Sequence, residues 1–355
     1  MRFEEKDMAK FNKGEWSELL VFLSVLFEGK IHAADEDLNK IDEIFYVVLK
    51  AIRNNIEYVL ENHKQLRIVN TDDSQFAVST EEFEDEIQTL YSKIKNTKGS
   101  SFEIPEIQPL LEKLGIVSIK ANSNRKGDLT IQIHDTFTGF KPTIDFSIKS
   151  YIGNAPTLLN ASSATVFTYL INAPYAEKLI EDTNKIGGAS KIKDRLAFLN
   201  SQNVGLQFSK SMNKTFYYNL QMIDFRMPEI LAGLVLTSYF VKGKKMNDVV
   251  DFFCDKFKEN KELVEHKVKD LLVAIALGMV PKTKWLGIDE ANGGYVIVKS
   301  NGDIVCYHIY DRNRLRSYLY KNTKFDSPSS SRTGAGVLVK EEDGVKFRLT
   351  CQIRF

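Results

Sequence analysis

The sequence is short of the residues that build disulfide-rich and zinc-binding scaffolds. Its three cysteines, Cys254, Cys306 and Cys351, lie far apart with no Cys-x-x-Cys spacing, and its five histidines do not cluster. A disulfide framework and a zinc site are therefore not expected, and the thiols read as buried and free in a reducing compartment. An excess of one charge is missing too: 48 Lys and Arg against 47 Asp and Glu leave a formal charge of +1. Bulk charge thus neither indicates nor excludes nucleic acid, because a local basic stripe can coexist with acidic surface elsewhere. The longest apolar stretch, 271–280, is interrupted by Gly278 and too short for a bilayer. The start, Met1-Arg2-Phe3-Glu4-Glu5-Lys6, lacks the apolar core of a signal peptide, so a cytoplasmic location is expected. No repeat, low-complexity tract or clear linker is present.

What is there suits a globular chain of one large domain or two fused ones: 355 residues, 43% hydrophobic and 11% aromatic. Trp16, Leu19, Leu20, Leu23 and Phe27 recur at helical spacing and predict an amphipathic helix over 14–28. Residues 43–53 and 56–69 read as a strand pair around Asn54-Asn55. Ser79 with Glu82 suggests a capping box for a helix reaching 95, and Pro105 opens a short helix that Gly115 ends. Helices are expected over 161–171, 175–183, 190–199, 227–241, 246–257 and 262–276, and extended chain over 204–220. Strand pairs are expected around Ser300-Asn301-Gly302 and around Asp343-Gly344. The fold class is mixed α/β (α+β), with a core in 1–170 and a helical, β-rich region in 171–355.

Residues 128–149 carry the chemistry. Placing the turn at Thr138-Gly139 sets Asp128 opposite Lys149 across an antiparallel hairpin. Period-two alternation then puts Leu129, Ile131, Ile133, Ile144, Phe146 and Ile148 on an apolar face. Asp128, Thr130, Gln132, His134, Thr143, Asp145, Ser147 and Lys149 share the wet face. A surface hairpin with one wet side is common. An acid beside a lysine adds a function: the carboxylate can hold a hard divalent cation and the lysine can orient or deprotonate water. Asp135 competes as the acid, but it falls near the turn on the apolar face.

This pattern resembles the PD-(D/E)xK nuclease core, with its mixed sheet flanked by helices. There an acid begins one strand and an acid-x-lysine triplet lies on the next. Here the triplet is Ser147-Ile148-Lys149, so serine replaces the second carboxylate. Asp145, two residues earlier on the same face, is one substitute. Lys13-Gly14-Glu15-Trp16-Ser17-Glu18 resembles the K-G-x-x-x-E first helix of such nucleases, which makes Glu18 another, with Glu15 one turn before it. An acidic first turn is also ordinary, since the helix dipole favours it.

A closer resemblance runs through most of the chain. Asn12 to Glu18, Phe146-Ser147-Ile148-Lys149-Ser150, Gly153 with Pro156-Thr157-Leu158-Leu159-Asn160-Ala161, and the ending Gln352-Ile353-Arg354-Phe355 are similar to the HpaII restriction endonuclease family. In that family glycine often stands where this chain has Asp145. The resemblance implies a type II enzyme with Mg²⁺ as cofactor, double-stranded DNA as substrate, CCGG as target and 5′-phosphate products. Catalytic roles then fall to Asp128, Lys149, Ser147 and Glu18, and metal ligation to Asp128, Asp145 and Glu18. A homodimer is expected for a palindromic target, with a DNA methyltransferase as genetic partner.

For holding DNA, Arg312, Arg314, Arg316, Lys324, Ser330 and Arg332 form a basic, serine-containing segment with Tyr318 and Tyr320. Phosphates need such cations, and bidentate arginine is the commonest reader of guanine. Lys242-Gly243-Lys244-Lys245 reads as a solvated helix junction. Two other functions fit the same residues: a DNA-binding protein without chemistry, or a repair or junction nuclease on the same core.

Overall fold

Polar caps and paired asparagines break the chain into its elements. The structure, a computed structural model, describes residues 10–62, 64–81, 83–119, 127–136, 138–171, 176–210, 212–328, 334–342 and 344–355. Ser330, Arg332 and Glu82 lie outside the described residues.

The first elements are α1 (Lys13–Glu28), β1 (Lys30–Ala34), β2 (Lys40–Arg53), β3 (Ile56–Asn62), β4 (Gln65–Val69) and β5 (Gln75–Ser79). Then come α2 (Phe83–Asn96), α3 (Gln108–Lys113), β6 (Leu129–His134), β7 (Thr143–Ser150), β8 (Thr157–Leu159) and β9 (Val166–Ile171). The middle holds α4 (Ala176–Lys185), α5 (Lys191–Ser201), β10 (Leu206–Ser209), α6 (Lys214–Ile223), α7 (Met227–Ser238), α8 (Met246–Phe257) and α9 (Lys261–Ala276). The chain closes with β11 (Gly294–Val298), β12 (Ile304–His308), α10 (Arg312–Asn322), β13 (Lys324–Phe325), β14 (Leu338–Glu341), β15 (Gly344–Thr350) and β16 (Ile353–Arg354). Mixed α and β structure is thus the fold class.

Two compact units divide the chain: Met1–Pro156 with Asp289–Leu315, and Thr157–Ile288 with Arg316–Phe355. An expected division near residue 170 compares with a first unit that stops at Pro156 and is completed by a much later segment. β11 and β12 are that later segment, because β11 pairs in parallel with β7 and β12 in parallel with β1.

In the first unit the sheet runs β1-β12-β11-β7-β6-β2-β3-β4-β5, and β1 also pairs with β2. That extra pairing closes six strands into a ring, from which β3 to β5 continue. Asn54 and Asn55 both take positive φ, at 50° and 65°, and make the tight β2–β3 turn foreseen from the Asn-Asn pair. The run 56–69, read as one strand, is two, β3 and β4.

Asn12 starts α1 with a full capping box: its side chain accepts from the Glu15 N–H while Glu15 accepts from the Asn12 N–H. Gly29, at φ 65°, ends the helix. An amphipathic helix was expected, yet α1 is covered nearly all round. From Trp16 to Leu26 every residue is buried except Glu18. Each large apolar side chain covered in this way contributes about 1.5–3 kcal/mol, so α1 anchors the unit.

The helix expected to begin at Ser79 starts at Phe83 instead. Ser79 is the last residue of β5, paired with Gln65 of β4.

In the second unit a sheet β10-β9-β15-β14 and a smaller one β13-β16-β8 accompany α4 to α9. Residues 161–171, expected as helix, are instead a short 3₁₀ turn followed by β9. Val166-Phe167-Thr168-Tyr169 is β-branched and aromatic, and pairing with β15 on one edge and β10 on the other fixes it as a central strand. The stretch 204–220, expected as extended, splits into β10 and α6. Asn213 caps α6 by accepting from the Phe216 N–H, the local signal for the switch. Cys254, Cys306 and Cys351 are buried and unbonded. Among the described residues no helix is long and apolar enough to cross a membrane.

Candidate active site

The β6–β7 hairpin forms with the expected faces but another register. Leu129 pairs with Phe146, Thr130 with Asp145 and Ile131 with Ile144, so Asp128 does not face Lys149. The turn sits one residue earlier than expected. Asp135 closes it, its carboxylate accepting from the Thr138 hydroxyl at 2.7 Å. A slip of two residues leaves every side chain on its original face, because the strand period is two. Leu129, Ile131, Ile133, Phe146 and Ile148 are accordingly buried. Asp135 is a buried turn residue on the apolar side.

Asp128 sits at the mouth of β6. Its N–H donates to Phe146 O at 2.9 Å. One carboxylate oxygen accepts from the Ile148 N–H at 2.7 Å and from the Ser147 hydroxyl at 3.3 Å. The acid is thereby held against Ser147-Ile148, one residue short of Lys149. Ser147 takes the role of a hydrogen-bond donor to Asp128.

Glu18 approaches from α1. Ser17, its neighbour, donates to Lys13 O and to the Ser150 hydroxyl at 2.9 Å, fixing the helix on the end of β7. Trp16 Nε1 donates to Phe102 O at 3.1 Å and holds the other side. Burial, and second the Asp128 carboxylate, raise the Glu18 pKa from the ordinary 4.5 to about 7; the Arg53 and Lys149 charges act the other way. Glu18, Asp128 and Lys149 therefore form one electrostatic group. Glu15 is occupied by the capping box.

Asp145 stands aside. Its carboxylate accepts from the Thr130 hydroxyl, and its charge is not among those acting on Glu18. Its backbone N–H donates to Asn292 Oδ1 at 2.9 Å and its carbonyl accepts from Gly293 N at 2.7 Å. Gly293 has to be glycine, since a Cβ there would stand 2.8 Å from the Phe146 ring and 3.0 Å from Asp145 O. His134 is half-buried at the turn end of β6.

Sequence reasoning missed three residues of this neighbourhood. Tyr295, fully buried, pairs with Ser147, and the Lys149 ammonium lies 5.9 Å from its ring centroid. Arg53 ends β2, buried, with its guanidinium over Phe22 at 5.4 Å and a hydrogen bond to Ile119 O. Asn292 braces Asp145. Tyr295 and Asn292 belong to the late segment whose pairing with β7 is invisible in a local reading. Arg53, at a strand end before a turn, carried no signal of burial.

The expected DNA contacts are differently placed. Arg312 pairs with Asp289, Arg314 with Asp311 at 2.8 Å and Arg316 with Asp270 at 3.3 Å. To meet a phosphate each has to exchange its carboxylate. Lys324 is exposed, in β13.

Within each unit the sequence blocks singled out above meet in space. Lys13 lies on Gly153, whose added Cβ would stand 3.1 Å from Lys13 Cδ, and Ser17 bonds Ser150. In the second unit β8 pairs with β16, joining 157–159 to the C-terminal block. The profile of the HpaII restriction endonucleases matches residues 12–355. The chain belongs to the HpaII restriction endonuclease family. A curated relative, the type II restriction enzyme HpaII of Haemophilus parainfluenzae, is 39% identical over 354 residues, covering 97% of this chain and 98% of that protein. No solved structure matches. As a member of the HpaII family the chain is a type II site-specific endonuclease with double-stranded DNA as substrate.

Such enzymes generally use a divalent metal ion. Among the described residues no three His, Cys, Asp or Glu side chains form a complete ligand set. A magnesium-type cation does not need one, because it takes one or two carboxylates and fills its remaining positions with water and phosphate oxygens. Glu18 and Asp128 fit that demand: hard oxygen donors close enough that the charge of one raises the pKa of the other.

Proposed function

We propose that the chain is a Mg²⁺-dependent endonuclease on a PD-(D/E)xK-type core that cuts CCGG and leaves 5′-phosphates. Glu18 carries this reading: the one partly exposed position in the buried run Trp16–Leu26 is an acid, and it lies in the field of Asp128 and Lys149. Asp128 and Glu18 hold the cation, and Asp145 is the weaker donor because Thr130 already occupies one of its oxygens. When bound, the ion polarises the scissile phosphate and stabilises the charge that builds on it.

The chain's own groups supply the rest. Ser147 and the Ile148 N–H fix one oxygen of the Asp128 carboxylate, and the other would be the one to hold the cation. Lys149, held over Tyr295, orients the attacking water and balances the phosphate charge. The water oxygen bonds to phosphorus in line with the departing O3′. The P–O3′ bond breaks, the water proton passes to solvent or to a neighbouring base, and O3′ is protonated to the hydroxyl. CCGG rests on family membership alone, and a few loop side chains decide such specificity. Arg332 suits a guanine contact, with Arg312, Arg314, Arg316, Lys324 and Ser330 on the backbone. A homodimer and a cognate methyltransferase complete the proposed system.

The test is digestion of a plasmid of known sequence with and without Mg²⁺, with the ends mapped. Cuts at CCGG bearing ligatable 5′-phosphates are expected. Lys149→Ala should lower the rate by about 10²–10⁴ while duplex binding persists. Cleavage of the same ends by Lys149→Ala at the wild-type rate sinks the assignment.

A further inference from the structure

The second unit carries a basic cavity that the nuclease chemistry does not use. Its volume is about 480 Å³, and residues 188–193 with Tyr239, Lys244, Ser327 and Pro328 line it. Three of the lining side chains are lysines, Lys191, Lys193 and Lys244, and none is a carboxylate. Among the described residues none of the three has an ion-pair partner.

The segment holding Lys244, read above as a solvated junction, is a built feature. Lys244 adopts a left-handed backbone, φ 57°, which is costly for a residue with a side chain. The Phe325 N–H donates to its carbonyl at 2.9 Å and pins it there. The ammonium lies 4.1 Å over the Tyr239 ring and donates to the Ser327 hydroxyl. Burial disfavours its charged form; the Asp326 carboxylate opposes this and the Lys193 charge adds to it. Asp326 itself is engaged by Arg354 at 3.0 Å. Next along the chain, Lys245 and Lys324 are both exposed and pair in an isolated bridge. Three cations line the cavity with no carboxylate among them, the nearby Asp326 being engaged by Arg354, and one of the three is half-buried in a strained backbone. They repel one another, and an anion entering the cavity relieves that repulsion.

We propose that this cavity receives a backbone phosphate of the bound duplex, with Lys244 as the central ligand and Lys191 and Lys193 beside it. The inference rests on duplex DNA being the substrate and not on the roles given to Glu18, Asp128 and Lys149. Ser327 and Pro328, on the cavity wall, precede in the sequence Ser330 and Arg332, which are proposed to contact DNA, and a phosphate contact positions the duplex for whatever reads the bases. Contact with a phosphate carries no sequence information, so the loss on mutation is the same for any duplex.

The experiment measures binding, so it stands whether or not the chemistry is assigned correctly. Fluorescence anisotropy of a labelled duplex, with Ca²⁺ in place of Mg²⁺, gives Kd over a series of salt concentrations. Lys244→Met should reduce the slope of log K against log[salt] by about 1 and weaken binding by about 3- to 10-fold, equally for CCGG and unrelated duplexes. Lys191→Met with Lys193→Met, at the helix surface, should act in the same direction without lowering the melting temperature. Inorganic phosphate alone should compete only at tens of millimolar or more, on the order of weak single contacts. An unchanged slope in both variants overturns the proposal. So does tight stabilisation by inorganic phosphate with duplex binding unaltered, which would assign the cavity to a free anion.

Discussion

Replacing Glu18 by glutamine should make the metal-free protein more stable and leave it unable to cut. Glu18 holds its proton more tightly in the folded chain, with a pKa of about 7, than the ordinary 4.5. Its favourable contribution is therefore complete below pH 4.5 and disappears as pH rises through 7, where the native state has to carry the charge. At about 1.4 kcal/mol per pH unit the full penalty is roughly 3 kcal/mol. Glu18 is partly exposed, and solvent screening reduces this to about 1.5–2 kcal/mol. Glutamine has the same shape and never ionises. For a unit of this size, about 1.5–2 kcal/mol corresponds to a rise in Tm of roughly 3–8 °C.

The assay is thermal unfolding of wild type and Glu18→Gln in EDTA at several pH values from 4.5 to 8.5. Near-equal melting is expected at the acid end, with the variant pulling ahead as pH rises from 4.5 towards 7 and the gap levelling off above 7. Adding Mg²⁺ should then stabilise wild type selectively, by about 1.4 kcal/mol at ten times Kd, and close the gap. A Tm difference that stays constant across pH would refute the electrostatic reasoning. So would a variant that melts below wild type at pH 8, because the carboxylate would then be stabilising the fold.

The same protonation predicts how cleavage depends on metal. Below pH 7 the cation has to displace the Glu18 proton, so the Mg²⁺ concentration for half-maximal rate should rise up to about tenfold per pH unit; a requirement that is flat from pH 6 to 8 contradicts it. Tyr295→Phe keeps the ring under Lys149 and should retain the single-turnover rate. Tyr295→Leu removes it and should slow the rate by about 3- to 30-fold, with DNA affinity in Ca²⁺ unchanged. Equal rates for the two variants would show that the ring only fills space.

The face assignments of the hairpin were legible because they depend only on alternation. Its register was not, since that is set by the Asp135–Thr138 turn, and a two-residue slip leaves the alternation identical. Glu18 was legible as a motif but not as the one partly exposed acid on a buried helix. That fact needs the packing of α2 and of the strands β1, β2 and β7 against α1. The misread segment 161–171 shows the same limit in reverse. Its mostly apolar end, Val166-Phe167-Thr168-Tyr169-Leu170-Ile171, fits a buried helix or a central strand, and only the pairing with β10 and β15 decides between them. Tyr295 and Asn292 reach the site through the parallel β7–β11 pairing, across more than a hundred residues, and no local periodicity encodes that.

Serine at position 147 changes how such a site is assembled. With an acid there, both carboxylates would belong to the hairpin and the backbone ladder alone would set their separation. Ser147 instead hydrogen-bonds Asp128, and in the proposed site the second carboxylate comes from a helix. The distance between the two acids then depends on how α1 docks, through Trp16 to Phe102, Ser17 to Ser150 and Lys13 over Gly153. Those residues fall within the blocks that mark the family or pack directly against them. A helix buried on nearly every side is the stiffest place available for a side chain that cannot rely on strand pairing, and a stiff Glu18 keeps the two charges close without a cation between them. The raised pKa of Glu18 is the energetic trace of that arrangement: burial by the packed helix first, and the neighbouring Asp128 charge second, disfavour the carboxylate, a penalty that a cation held between the two acids of the proposed site would relieve.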